Sequence, residues 1–241
     1  MSCSISDNIR ANLEQIEERI QAACLRSGRT RSEIAVMAVT KFQNAQDVQA
    51  AWQAGIRIFG ESRVQEAAEK FLSFRDAHGF ADSKLHLVGS LQRNKAKIAS
   101  SIFDCIQSVD RESLIDTLGS LTIARESPLM ILLEYRTGEE TKAGFSSRDS
   151  LFRAAERTLA FPGINPVGLM TMAPFTDDKV AVRSAFRELA AARDELAKRF
   201  PQVTGGWSCL SMGMTGDFEI AIEEGSTMVR IGTAIFGERS V

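Results

Sequence analysis

One lysine and two glycine-bearing turns are the residues of this sequence best suited to chemistry. Lys41 follows Ala38, Val39 and Thr40 directly, at the end of an apolar run. The turns lie far downstream, in Ser211–Gly237 (SMGMTGDFEIAIEEGSTMVRIGTAIFG). One places Met212 and Gly213 after Ser211; the other places Gly232 and Thr233 after Arg230 and Ile231. Backbone N–H groups at a glycine turn can approach an anion closely, and neighbouring hydroxyls add donors. The pair reads either as a phosphate cup or as glycines that only relieve tight turns. Neither turn matches a dinucleotide fingerprint or a P-loop. A strand-end lysine is either a partly desolvated amine, open to Schiff-base chemistry, or a solvated cation. Arg230 stands two residues before Gly232, so on a strand both share a face. It points at the same pocket or makes a surface ion pair.

The elements around these residues alternate. Ile9, Leu13, Ile16, Ile20 and Ala23 recur at helical spacing before any strand. Short apolar runs then read as buried strands: Ile34–Thr40, Ile56–Phe59, Lys84–Val88, Phe103–Val109, Pro128–Glu134, Ile164–Met172, Trp207–Ser211 and Ser226–Ile231. Helical patterns separate them. Alternation without hairpin signals predicts a parallel sheet, and eight such units predict a single (β/α)8 TIM-type barrel over residues 1–241. A doubly wound open sheet is the alternative. Too little chain follows the last strand for a full helix, so the extra N-terminal helix is expected to cover that gap. Barrels carry function at the C-terminal strand ends and commonly bind phosphate after strands seven and eight, where the two glycine turns fall.

Composition narrows the function. The 241 residues carry a net charge of −2 with signs interspersed, which argues against a nucleic-acid or polybasic membrane face. No apolar run approaches a membrane span and the N-terminus lacks an apolar signal core, so a cytoplasmic protein is expected. Cys3, Cys24, Cys105 and Cys209 match no metal spacing and read as isolated thiols. His86 reads as a core histidine with one backbone hydrogen bond. Gln92–Lys97 reads as a solvated helix start.

Several motifs together resemble the pyridoxal phosphate homeostasis protein family, which shares the barrel of fold-type III pyridoxal 5'-phosphate (PLP) proteins such as alanine racemase. They are Ala38–Lys41, Phe59–Glu66 (FGESRVQE), His86–Lys95 (HLVGSLQRNK), Gly168–Met170, Leu210–Met214 and Gly225–Gly237. The resemblance spans nearly the whole chain. It implies that Lys41 forms the Schiff base with PLP and that Ser211, Gly232 and Thr233 contact the phosphate. Met212 and Gly213 would lie close by, Ser62 would face the cofactor and Arg230 would lie against the pyridine nitrogen. Ser62 stands where the family commonly has asparagine, Ser90 where it has proline, and Thr215–Gly216–Asp217 where it has Ser-Asp-Asp.

The family's usual role implies a protein that carries or buffers PLP without robust catalysis, with PLP-dependent apo-enzymes as candidate recipients; the absence of a partner-domain requirement favours a monomer. A racemase-like enzyme is the alternative. It needs a second acid–base group facing Lys41, and Tyr135 is the chain's one tyrosine. A barrel for another phosphate ligand, without PLP, is a third reading.

Overall fold

The computed structural model describes residues 5–78, 82–123, 125–139, 141–203 and 205–237, apart from the side chains of 72–78. The apolar runs form eight parallel strands: β1 (Ala35–Val39), β2 (Ile58–Glu61), β3 (Lys84–Leu87), β4 (Cys105–Val109), β5 (Leu129–Glu134), β6 (Ile164–Met170), β7 (Cys209–Ser211) and β8 (Met228–Ile231). They pair in chain order, and β8 closes on β1 with Ala38 opposite Ile231. The closed (β/α)8 barrel, not an open doubly wound sheet, is therefore the architecture. Crossover helices α2 (Ala45–Gln53), α3 (Val64–His78), α4 (Ala96–Ile102), α5 (Glu112–Thr122), α6 (Arg148–Thr158), α7 (Lys179–Arg199) and α8 (Phe218–Glu223) surround it. Asn44, Ser147 and Asp178 cap α2, α6 and α7 by accepting from first-turn amides.

The leading helix α1 (Ile5–Ser27) buries Ile9, Ile16, Ile20 and Ala23. Among the described residues, only the single-turn helix α9 (Thr233–Phe236) follows β8. As expected, α1 covers that side of the barrel. Asn12 Nδ2 donates to the Ile235 carbonyl at 2.9 Å, and Arg19 pairs with Glu219 of α8 at 2.9 Å.

Three of the strand-boundary differences from expectation bear on the site. Strand β1 stops at Val39, so Lys41 lies in the following turn. Strand β2 runs two residues later than expected and takes in Gly60 and Glu61. A Cβ at Gly60 would fall 2.5 Å from Met37 Sδ, so a larger residue there would require Met37 to shift. Strand β7 begins at Cys209, and Trp207 precedes it as a fully buried residue with φ of 59°.

Two apolar layers follow from the pleat. Alternate strand residues pack outward under the helices in one large core. A smaller separate cluster of Cys105, Leu132 and Met170, backed by Met172 and Cys209, fills part of the barrel interior. Cys24, Cys105 and Cys209 are free thiols, and Cys3 lies outside the described residues.

Candidate functional site

The C-terminal ends of the strands form a mouth, and its chemistry is uneven. Lys41 is exposed rather than partly desolvated, and its side chain bonds no described residue. The next residue, Phe42, has φ of 67°, a left-handed conformation that bulky residues rarely adopt. Thr40, by contrast, is fully buried.

Across the β1–β8 seam, the backbone at Gly232 passes close to Val39: a Cβ there would fall 3.4 Å from the Val39 carbonyl oxygen. Gly232 opens α9, and Ile235 and Phe236 donate to its carbonyl. The amides of Thr233 and Ala234, ahead of them, have no intrahelical acceptor. Gly232 is half-buried and Thr233 exposed, so both reach the mouth.

The two glycines differ in what the fold demands of them. Gly213 has φ of 96°, and a Cβ would lie 2.6 Å from Ala221 Cβ. Gly232 has φ of −118°, and its virtual Cβ makes only ordinary contacts. Turn geometry therefore explains Gly213, while nothing in the protein's own packing requires Gly232 to be glycine. The turn after β7 closes with Asp217 accepting from the Met214 amide at 2.5 Å.

Beneath the mouth, a chain of hydrogen bonds crosses the barrel interior. Gln107 Nε2 on β4 contacts His86 Nδ1 on β3 at 2.9 Å. Ser211 Oγ on β7 donates to Gln107 Oε1 at 2.6 Å. Arg230 Nη1 on β8 donates to Ser211 Oγ at 2.9 Å and to the Ser211 carbonyl at 2.6 Å, and Nη2 donates to the Thr171 carbonyl at 2.7 Å. Strands β4 and β7 are not neighbours, so the Ser211–Gln107 bond spans the interior. His86 thus bonds a side chain, not the backbone expected of it. Burial pushes its pKa down to about 4, leaving a neutral ring that accepts from Gln107.

This chain changes the reading of two residues. Ser211 is fully buried, and its hydroxyl is spent between Gln107 and Arg230. It orients the arginine and does not surface in the mouth. Met212 is fully buried in the outer core, so it offers the mouth only backbone. Ser62 follows β2 and is half-buried, its backbone lying where a Cβ on Gly89 would collide at 2.1 Å.

Arg230 is 5% exposed, and burial lowers its pKa to about 10, still protonated at neutral pH. Three of its five N–H donors are spent inside the barrel. Acids face it from β5 and from the turn before α8: Glu134 and Asp217 both favour its charge. Glu134 shares a strand face with Leu132 of the interior cluster. It is 4% exposed, and no described residue hydrogen-bonds its carboxylate. Burial, then the charge of Asp110, raises its pKa to about 7, and Arg230 opposes the shift. Sequence reading placed Glu134 at a strand end without a role; its interior face and missing partner emerge only in three dimensions.

A cavity of about 880 Å³ lies at the other end of the barrel between α1 and the starts of β1 and β2, and shares no residue with the mouth. Among the described residues no cluster of His, Cys, Asp and Glu could hold a metal ion, and no helix is long and apolar enough to cross a membrane.

A closed barrel with a lysine after strand one and glycine turns after strands seven and eight is the arrangement that the resemblance to alanine-racemase-type barrels implies. The family model described as alanine racemase, N-terminal domain, matches residues 6–240. Together with its similarity to curated relatives, this shows that the chain belongs to the pyridoxal phosphate homeostasis protein family. The protein of that name from Vibrio cholerae is 38% identical over 233 residues, covering 96% of this chain and 97% of the relative. A structure of an unknown protein from Bifidobacterium adolescentis superposes with a TM-score of 0.90 at 32% identity, covering 98% and 97% of the two chains. PipY of Synechococcus elongatus PCC7942, solved with PLP bound, gives a TM-score of 0.78 at 33% identity, covering 92% of this chain and all of PipY.

Proposed function

We propose that the mouth binds PLP, anchored through Lys41, and that the protein carries or buffers this cofactor without turning over a substrate. One observation carries the reading. Lys41, Gly232–Thr233 and Gly213 form a continuous arc over β1, β8 and β7, with a buried arginine beneath it. When bound, PLP supplies an aldehyde that condenses with a primary amine. Lys41 is the exposed primary amine of the arc. The Thr233 and Ala234 amides, the Thr233 hydroxyl and the Gly213 backbone would hold the phosphate, and glycine at 232 leaves room for that approach. Ser62 would flank the ligand from β2.

Arg230 fits the pyridine nitrogen. A guanidinium only donates, so it suits a nitrogen that keeps its lone pair. An unprotonated ring draws electrons weakly, which suits storage better than carbanion chemistry. The names of the relatives and the PLP in PipY support this role. On this reading a cytoplasmic monomer suffices, and PLP-dependent apo-enzymes are the recipients.

One observation favours a racemase-like second reading. Tyr135 is not its second acid–base group, because its hydroxyl donates to Glu188 of α7 at 3.0 Å, away from the interior. Glu134 could take that part from β5, across the barrel from β1. The test is to load the protein with PLP and incubate it with L-amino acids. We expect no enantiomer exchange or keto-acid release; turnover near ~1 per second would overturn the carrier role.

A further inference from the structure

Lys41 is held from behind by a charged cluster that the PLP site leaves unexplained. Glu61 ends β2 and is fully buried. Its Oε1 accepts from Thr40 Oγ1 at 2.8 Å and from Lys70 Nζ at 2.8 Å. Lys70 Nζ also donates to the Thr40 carbonyl at 2.8 Å and approaches Glu66 Oε1 at 3.4 Å. Glu66 Oε1 accepts from the Phe42 amide at 2.7 Å. Glu66 and Lys70 lie four apart on α3, so one helix face presents both to the β1 exit.

These bonds bracket one residue. Thr40 is tied through its carbonyl and its hydroxyl, Phe42 through its amide, and Lys41 stands between them with a free side chain. Phe42 is held at φ of 67°, so the turn needs an external tie. Glu61 Oε2 is the one side-chain oxygen or nitrogen wholly shut off from solvent that has no partner among the described residues. Burial raises the Glu61 pKa, against the pull of Lys70. A buried, incompletely satisfied ion pair is a costly way to hold a loop if stability is its only purpose.

We infer that Glu61, Glu66 and Lys70 are positioning residues that fix the Lys41 turn and aim its amine into the mouth. The inference rests on Lys41 being the anchor proposed above. The contact most open to test is Glu66 to the Phe42 amide, because the Glu66 side chain is 25% exposed and its loss should leave the barrel folded. Glu66→Ala removes the acceptor; Glu66→Gln keeps an oxygen in its place.

The experiment has two arms on the full chain. Hydrogen exchange at the Phe42 amide is measured without PLP, and PLP affinity is measured by absorbance with borohydride fixation at Lys41. Glu66→Ala is expected to speed exchange and to weaken PLP about tenfold to a hundredfold, as expected for one lost hydrogen bond to a charged acceptor. Glu66→Gln is expected to restore most of both. Unchanged exchange in Glu66→Ala overturns the clamp. Faster exchange with unchanged PLP affinity overturns its positioning role. Wild-type protein that takes up no PLP at Lys41 overturns the functional reading, and the positioning role with it; that result is recognised without any variant.

Discussion

Lys41 and Arg230 are held in opposite ways. Lys41 has a free, exposed side chain on a backbone tied down on both sides. Arg230 sits on an ordinary strand, and its side chain is fixed by three bonds to neutral acceptors. The first arrangement suits a group that must meet and release a partner. The second suits a charge that must keep its place and its proton. Ser211 belongs to the second arrangement, although its position beside a glycine turn suggests the first.

The sharpest way to break this contrast is to remove the fixed charge. Arg230→Ala strips donors from Ser211 and Thr171 and leaves a hole inside the barrel. It should cost about 3 kcal/mol or more of stability in urea unfolding. A cost below ~1 kcal/mol would show that the interior chain of hydrogen bonds does not hold the barrel.

The acid facing Arg230 gives a pH-dependent test. The Glu134 pKa rises from 4.5 unfolded to about 7 folded. Its protonated form is therefore favoured by folding, and that contribution is complete below the unfolded value and lost as pH rises through 7. Glu134→Gln should gain stability relative to wild type between pH 4.5 and 8.5, by up to about 3 kcal/mol. Unfolding at the two ends of that window checks the sign. Parallel curves would mean that Glu134 is paired in solution.

The glycines sharpen the comparison with smaller effects. Gly213→Ala should cost about 2 kcal/mol, because φ is positive and Ala221 is in the way. Gly232→Ala should change stability by less than ~1 kcal/mol while weakening PLP, since its φ and surroundings tolerate a methyl group. Equal stability losses would put Gly232 in the turn and not in the ligand site.

Much of this was legible in the sequence. Strands buried on both faces read as apolar runs, and their alternation with helical patterns led to the closed barrel. Lys41, Gly232 and Thr233 were visible because polar or small residues followed such runs. Strand β2 was placed early because Gly60 and Glu61 look like a turn. The burial of Glu61 depends on Lys70, which arrives only when α3 packs. The interior partners were hidden for a related reason. Ser211 and Gln107 are 104 residues apart, and nothing local marks a strand glutamine as the acceptor of a distant hydroxyl. Nor does local sequence show that Met212 turns outward into the core.

The most direct test is to load the protein with PLP, reduce it with borohydride and locate the modified residue by mass spectrometry. The proposed anchor predicts fixation on Lys41, a visible band near ~420 nm before reduction, and loss of both in Lys41→Ala. Fixation on another lysine, or equal uptake by Lys41→Ala, would contradict it.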